Sequence, residues 1–369
     1  MKTVLIAPRK YVQGRNVLAE TGAYAKLLGG KALLLWDAMV KNLVGQTVLA
    51  SLKDAKVEVI EVNFGGESSK AEATRVADIA KKERVDMVIG IGGGKTLDTA
   101  KAAAAWANTK VVTCPTLAST DSPTSSFTVW YNEQGDCTGF DGWPFNPDIV
   151  IVDSQVIAQA PVRTFVAGMG DAMSTWVEAE ASYKTRHATL AGGVPTMASI
   201  AIARLCYDAL MAHGVDAKRA VENKVVTPAV EKVIEANTLL SGLGFESGGL
   251  ATAHMIANAL PSFPECKKFY HGEKVGFGII SQLCLDDDMT PEKSYPIIDW
   301  EIAVGLPVTF AELNLAGIKR DRLKQIGDIC AGKGSLCESH AFEVTSDSLV
   351  DAMIAADALG RERKKLLGK

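Results

Sequence analysis

Gly90-Ile91-Gly92-Gly93-Gly94-Lys95-Thr96-Leu97-Asp98-Thr99 joins an apolar run, Val85 to Ile91, to a helical pattern that continues to Ala107. It reads as a strand, a glycine turn and the start of a helix. Consecutive glycines let backbone N–H groups approach a ligand with no Cβ in the way, and a helix N-terminus adds about half a positive charge. The combination suits a phosphate or pyrophosphate; a tight strand-to-helix turn is the plainer alternative. Two familiar phosphate loops are excluded. Ile89 stands where a Walker loop ending in Gly94-Lys95-Thr96 needs its first glycine, and Lys95 stands where a G-x-G-x-x-G motif beginning at Gly90 needs its third.

Outward from this turn, strand and helix signals alternate. Thr3 to Ala7 alternates as a short strand, and an amphipathic stretch, Val17 to Leu28, follows Pro8 and Gly14. Lys31 to Trp36 is a continuous apolar strand ending at Asp37, and Ala38 to Leu52 is its helix. A carboxylate at that strand end suits either a ribose hydroxyl pair or the cap of the next helix. Val57 to Val62, the helix Ala71 to Lys82, and Lys110 to Thr113 continue the pattern, and Ile149 to Val152 is the last strand. Such repetition implies a parallel sheet with ligands beyond the carboxyl ends of its strands. The loop Pro115 to Ser126 falls at that edge and is rich in hydroxyls, with one carboxylate, Asp121. Phe127 to Asn132 then alternates, Glu133 to Asp136 turns, and Gly139 to Pro147 reads as a long hairpin end.

From Pro161 the pattern is helical almost to Lys369. The expected organisation is an α/β domain over residues 1–160 and an all-α domain over 161–369, and 369 residues are enough for two cores. Hydrophobic and charged fractions of 47% and 22% are ordinary for a soluble protein, and no apolar run reaches the length of a membrane span. The segment Met1 to Pro8 has too short an apolar run for an export signal, so a cytoplasmic protein is expected. A net charge of -4 without a dense basic cluster argues against nucleic acid as a partner. Seven scattered cysteines without a C-x-x-C pair read as reduced structural thiols.

Of five histidines, His187, His213 and His340 lie in polar surroundings that suggest solvated surface. His254 is flanked by small and apolar residues, and His271 opens a helical pattern. Asp171 lies in a segment with almost no other charge. One carboxylate and two imidazoles suit a divalent ion that keeps a fourth position open. Their spacing matches no short metal motif, so a buried histidine on an apolar helix face is the competing reading.

Several motifs together resemble those of the glycerol dehydrogenases, within the iron-containing (group III) alcohol dehydrogenases that share the dehydroquinate synthase fold. They are Gly92 to Lys101, Pro115-Thr116 with Ala118 to Asp121, Gly170-Asp171-Ala172, Glu235 to Thr238, Gly244 to Leu250 and His271 to Val275. The resemblance runs from Tyr11 to Asp357 and so covers both halves of the chain.

It implies a zinc site made by Asp171, His254 and His271, with Asp121 bonding a substrate diol. It implies NAD, with Asp37 at the adenosine ribose and Gly92, Gly93, Gly94, Lys95 and Asp98 around the pyrophosphate loop. Thr116, Ser119, Ser125 and Tyr131 match positions on the nicotinamide half, with Phe127 where the family usually has Leu. A carboxylate at Asp37 favours NAD over NADP by repelling a 2′-phosphate. The implied reaction is hydride transfer between a small polyol and NAD, in a homo-oligomer of eight subunits.

Two departures stand out. The family's H-x-x-H-N reads here His254-Met255-Ile256-Ala257-Asn258, which removes a polar group one helical turn from the metal ligand. The segment Thr138 to Phe145, expected at the hairpin tip, is aromatic where the family is polar and basic. Both point to a substrate shifted away from glycerol, toward another diol, a hydroxyketone or a 2-oxo acid. The competing classes are a dehydroquinate synthase-like lyase, which should show more Lys and Arg near the metal, and a cofactor-binding protein with a decayed site.

Overall fold

The computed structural model describes residues 1–369. Six strands form one parallel sheet: β1 (Lys10–Gly14), β2 (Lys31–Trp36), β3 (Glu58–Asn63), β4 (Met87–Gly92), β5 (Lys110–Pro115) and, after a hairpin, β8 (Ile149–Asp153). The hairpin is β6 (Phe127–Tyr131) paired antiparallel with β7 (Cys137–Gly142). The helices of this half are α1 (Thr21–Lys26), α2 (Ala38–Asp54), α3 (Lys70–Glu83), α4 (Gly94–Ala107) and α5 (Ser154–Gln159).

Sheet order is β1-β8-β5-β4-β2-β3. The chain steps outward from β2 to β3, then crosses back to β4 and proceeds the other way, so the order reverses between β2 and β4. Helices on either side of such a reversal lie on opposite faces of the sheet and leave a crevice at the strand ends. β2 shows the consequence in its side chains: Ala32, Leu34 and Trp36 join the apolar cluster with Val40 and Val44 of α2, while Leu33 and Leu35 join that of Val76 in α3 and Ala100 in α4. Burial on both faces is why this strand reads as a continuous apolar run.

The remainder is helical: α6 (Val162–Thr185), α7 (Met197–Glu222), α8 (Pro228–Glu235), α9 (Ser241–Gly248), α10 (Thr252–Ala259), α11 (His271–Leu285), α12 (Pro291–Val304), α13 (Arg320–Cys330) and α14 (Ser346–Leu366). Its main core reaches back to the sheet, because Val150 and Val152 of β8 pack in the same cluster as Phe165 and Met169 of α6. No helix is long and apolar enough to cross a membrane.

Three expectations are corrected. Thr3 to Ala7 is not a sheet strand; Thr3 makes one isolated bridge to Val194, and the amide of Ile6 donates to Ser247 Oγ at 3.2 Å. The alternating residues therefore lie along the helical half, and the edge strand is Lys10–Gly14. Val17 to Leu28 is broken into a short 3-10 turn, Val17–Glu20, and α1. The hairpin tip is not Thr138 to Phe145 but Asn132 to Asp136, since Cys137–Gly142 is itself a strand.

Candidate active site

The glycine turn divides by function when a Cβ is imagined at each position. At Gly90 it would lie 2.5 Å from Ala100 Cβ, and at Gly92 it would lie 2.7 Å from Thr96 Oγ1. These two glycines are required by the packing of strand on helix. At Gly93 and Gly94 the nearest atoms are Leu117 Cδ1 at 3.5 Å and Thr120 Oγ1 at 3.4 Å, so packing alone explains them less well. Moreover, α2 and α3 are capped by the side chains of Asp37 and Ser69, whereas no side chain caps α4. An uncapped helix start at the carboxyl edge of a parallel sheet is suited to an anion.

Asp37, Gly92 and Thr116 end the adjacent strands β2, β4 and β5 or follow them directly. Asp37 Oδ1 accepts the Val40 amide at 2.8 Å, so the capping role is real, and it engages only that oxygen. The Thr116 amide donates to Gly92 O at 2.9 Å, which lays the loop 115–126 beside the glycine turn. Lys95 Nζ bonds Glu67 Oε2 at 2.7 Å and lies 4.6 Å from the centre of the Tyr131 ring. Phe127 packs edge-on against Phe140 at 5.8 Å. Ser119 is half-buried, whereas Ser125 is buried under the loop with its Oγ 3.3 Å from Lys101 Nζ.

Asp98 does not face the cleft. Its Oδ1 takes Lys101 Nζ at 2.9 Å and Ser122 Oγ at 2.6 Å, and its Oδ2 takes the Val129 amide at 2.9 Å. Both oxygens are spent in bracing α4 against the loop and the hairpin. Lys101, which sequence reasoning passed over, is buried and also donates to Ser122 O at 2.9 Å. Its position three residues after Asp98, in an otherwise Ala-rich helix, was the available signal.

Across the cleft, Asp171, His254 and His271 converge, with one donor atom from each within 4.8 Å of the others. Asp171 Oδ1 is 3.5 Å from His254 Nε2 and 3.4 Å from His271 Nε2. The glycines beside Asp171 and His271 explain the approach. A Cβ at Gly170 would lie 2.4 Å from Gly272 O, and one at Gly272 would lie 1.7 Å from Ala167 O. α6 and α11 thus touch backbone to backbone, which sets Asp171 opposite His271.

His254, in the first turn of α10, is fixed by Glu178 two turns along α6 from Asp171. Glu178 Oε2 lies 2.5 Å from His254 Nδ1, and Oε1 accepts the amides of Ala251 and His254, each at 2.9 Å. A carboxylate on Nδ1 fixes the tautomer, leaving Nε2 as the free lone pair. Glu178 was missed in the sequence; its spacing of seven from Asp171 puts both on one face of α6, and that was the signal.

The charges are strongly interdependent. Burial opposes ionisation of Asp171, but the imidazoles of His271 and His254 outweigh it and hold its carboxyl below the usual range. Burial lowers His254, yet Glu178 and Asp171 reverse this and raise it. Desolvation between the cleft walls pushes His271 down to about 4. Asp121, the carboxylate of the sheet-side loop, is pushed well above its ordinary value by burial and by the nearby Asp171.

The cluster fits a cation. Asp171 Oδ1 is buried without a hydrogen-bond partner, which is costly unless an ion satisfies it. Tetrahedral ligands about 2.1 Å from one ion stand ~3.4 Å apart, close to the two Asp171 separations. By contrast, His340 is not the solvated residue its neighbours suggest. It is buried, with Nδ1 3.0 Å from Asp286 Oδ1 and Nε2 2.8 Å from Thr252 Oγ1. Ala257 is fully buried in the main helical core.

Comparison with known proteins agrees with this architecture. Residues 8–154 match the family model for iron-containing alcohol dehydrogenases. Over the full length, the chain is 43% identical to the glycerol dehydrogenase of Citrobacter freundii, covering 98% of this chain and 99% of that one. It is 42% identical to the glycolaldehyde reductase of Halobacterium salinarum, with 98% and 99% covered. The crystal structure of glycerol dehydrogenase from Schizosaccharomyces pombe superposes with a TM-score of 0.95 at 34% identity, covering 100% of this chain and 93% of that one. The chain belongs to the glycerol dehydrogenase branch of the iron-containing alcohol dehydrogenase family. It is an oxidoreductase acting on CH–OH groups.

Proposed function

We propose that this enzyme transfers hydride between a small vicinal diol or polyol and NAD, at a zinc ion held by Asp171, His254 and His271. The observation that carries the reading is the orphaned Asp171 Oδ1 with two imidazole nitrogens about 3.5 Å away, facing the uncapped start of α4 across one cleft. When bound, the cation supplies Lewis acidity that makes a substrate hydroxyl more acidic, and the dinucleotide supplies the hydride acceptor.

The chain's own residues do the rest. Glu178 holds the proton on His254 Nδ1 and so aims Nε2 at the ion. The backbone of Gly93 and Gly94 receives the pyrophosphate, and Asp37, with one oxygen still free, takes the ribose and disfavours a 2′-phosphate. Thr116, Ser119, Phe127 and Tyr131 wall the nicotinamide half, and Asp98 with the buried Ser125 supports that wall from behind. Asp121 accepts a second substrate hydroxyl.

Relatives named for glycerol and for glycolaldehyde are nearly equal in identity, so similarity alone does not choose the substrate. Ala257, sealed in the core, offers no proton-transferring group, which supports a preference other than glycerol. A lyase acting on a phosphorylated acid is disfavoured. Arg163 is held by Glu273 at 2.6 and 2.8 Å, and the Lys274 amine bonds Phe269 O at 2.9 Å, so neither cation is free. We also expect a cytoplasmic homo-oligomer of eight 39.2 kDa chains, which the native mass will test.

The deciding experiment is a panel of glycerol, 1,2-propanediol, 2,3-butanediol, hydroxyketones and 2-oxo acids with NAD, NADP and the reduced cofactors. A diol other than glycerol with the highest kcat/KM, dependent on NAD and lost after exhaustive chelation, is the expected result. Full activity in protein shown by metal analysis to be metal-free would overturn the zinc assignment.

A further inference from the structure

Between α8 and α9 the chain winds one π-helical turn, Ala236–Leu240. Such turns are rare and are frequent at functional sites. The side chains and carbonyls here reach the sheet-side loop. Asn237 Nδ2 donates to Ala118 O at 3.0 Å, Thr238 O accepts from Thr124 Oγ1 at 2.6 Å, and Ser241, opening α9, donates from Oγ to Asp121 Oδ2 at 3.1 Å. The backbones are close as well: a Cβ at Gly242 would lie 1.9 Å from Thr124 Oγ1, and one at Gly168 would lie 1.9 Å from Ala118 O.

Ser241 is itself aligned. Its Oγ accepts from Thr175 Oγ1 at 3.1 Å, and both residues are buried. Thr175 lies one helical turn beyond Asp171 on α6, so one helix face fixes the metal ligand directly, His254 through Glu178, and Asp121 through Ser241. No group of the chain bonds Asp121 Oδ1. A carboxylate pinned through one oxygen cannot rotate freely, and its other oxygen is left to meet a ligand in the cleft.

We propose that Ser241, aligned by Thr175, is a positioning residue that turns Asp121 toward the substrate hydroxyl that is not oxidised, and thereby sets the preference for vicinal diols over simple alcohols. This rests on the function proposed above. A diol uses both the ion and Asp121, whereas a monoalcohol uses the ion alone. Freeing the carboxylate therefore penalises only the diol.

The test compares the zinc-loaded wild type with Ser241→Ala and Thr175→Val, using 1,2-propanediol and 1-propanol with NAD. In Ser241→Ala, KM for the diol should rise about tenfold, the loss of about one hydrogen bond, with kcat changed far less. 1-Propanol kinetics and zinc content should stay near wild type. Thr175→Val should act in the same direction at about threefold, and decides the matter if Ser241→Ala does not fold. An unchanged diol-to-monoalcohol ratio, or equal losses on both, overturns the proposal. If the wild type oxidises neither alcohol, the proposed function has failed. Calorimetric binding of 1,2-propanediol then still judges Ser241, because equal Kd values in wild type and variant overturn its role.

Discussion

The two walls of the cleft present polar groups in opposite ways. On the sheet side most of them are already consumed: Asp98 by Lys101, Ser122 and Val129 of the same side, Thr124 by Thr238 and Ser126 by Glu246 of the helical side. What remains for a ligand there is the backbone and helix dipole at Gly93 and Gly94, with one free carboxylate oxygen each on Asp37 and Asp121. On the helical side the ligand atoms themselves are left open. Asp171 Oδ1 has no partner, and the two imidazole nitrogens facing it are served only from behind, His254 by Glu178. A main-chain cradle tolerates many outer side chains but no added Cβ, whereas an open cluster of ligands tolerates no loss of a ligand.

Substitutions should separate the walls, the helical side giving the larger effects. Asp171→Asn keeps the shape and removes the charge, so kcat/KM should fall by about a thousandfold or more, the loss of several kcal/mol of charge stabilisation. Zinc content by atomic absorption should fall with it, while NAD binding by fluorescence stays near wild type. Loss of NAD binding as well would mean that the walls are not independent.

Glu178→Gln acts one layer out. It should weaken zinc affinity about 10- to 100-fold in competition with a chelator, with activity restored by excess zinc. An unaltered affinity would leave Glu178 with a purely structural part.

Gly93→Ala sharpens the sheet side. Its Cβ meets nothing nearer than 3.5 Å, so the thermal midpoint should move little. KM for NAD should nevertheless rise about tenfold, because the methyl group would stand where the proposed site receives the pyrophosphate. Unchanged KM would return this stretch to a simple turn.

The smallest effect concerns a second orphaned carboxylate on the helical side. Glu301 is fully buried with both oxygens unpartnered, and burial raises it well above its ordinary value of 4.5. The folded state then holds a proton that the unfolded state releases, so stability falls as pH rises above the unfolded value. Glu301→Gln should leave the thermal midpoint nearly unchanged near pH 4 and raise it by a few degrees at pH 8. An equal shift at both values would show that Glu301 is not held neutral. Unlike Asp171, it has no imidazole facing it.

Local signals carried the sheet. Continuous apolar strands, Asp37 as a possible cap, and the glycine turn are all readable within a few residues of themselves. They misled where alternation served another surface, as at Thr3 to Ala7, whose partners Val194 and Ser247 lie in the helical half. The three candidate metal ligands were nameable by type and surroundings, yet nothing in their spacing brought them together. That is done by Gly170 against Gly272, a contact between positions 102 residues apart. Glu178, Lys101 and Ser241 escaped for the same reason, since each works on a partner remote in sequence or across a loop. His340 looked solvated because its neighbours are polar, but Asp286 and Thr252 satisfy it inside.

The contact of Gly170 with Gly272 has a manufacturing consequence. Because two main chains set the spacing of the backbones that carry Asp171 and His271, the site starts from peptide geometry, and the side-chain rotamers have only a short reach left to cover. Libraries that vary the outward faces of α6 and α11 can reshape the enzyme's exterior without detuning its centre, whereas a single methyl group at either glycine forces the two halves of the ligand set apart.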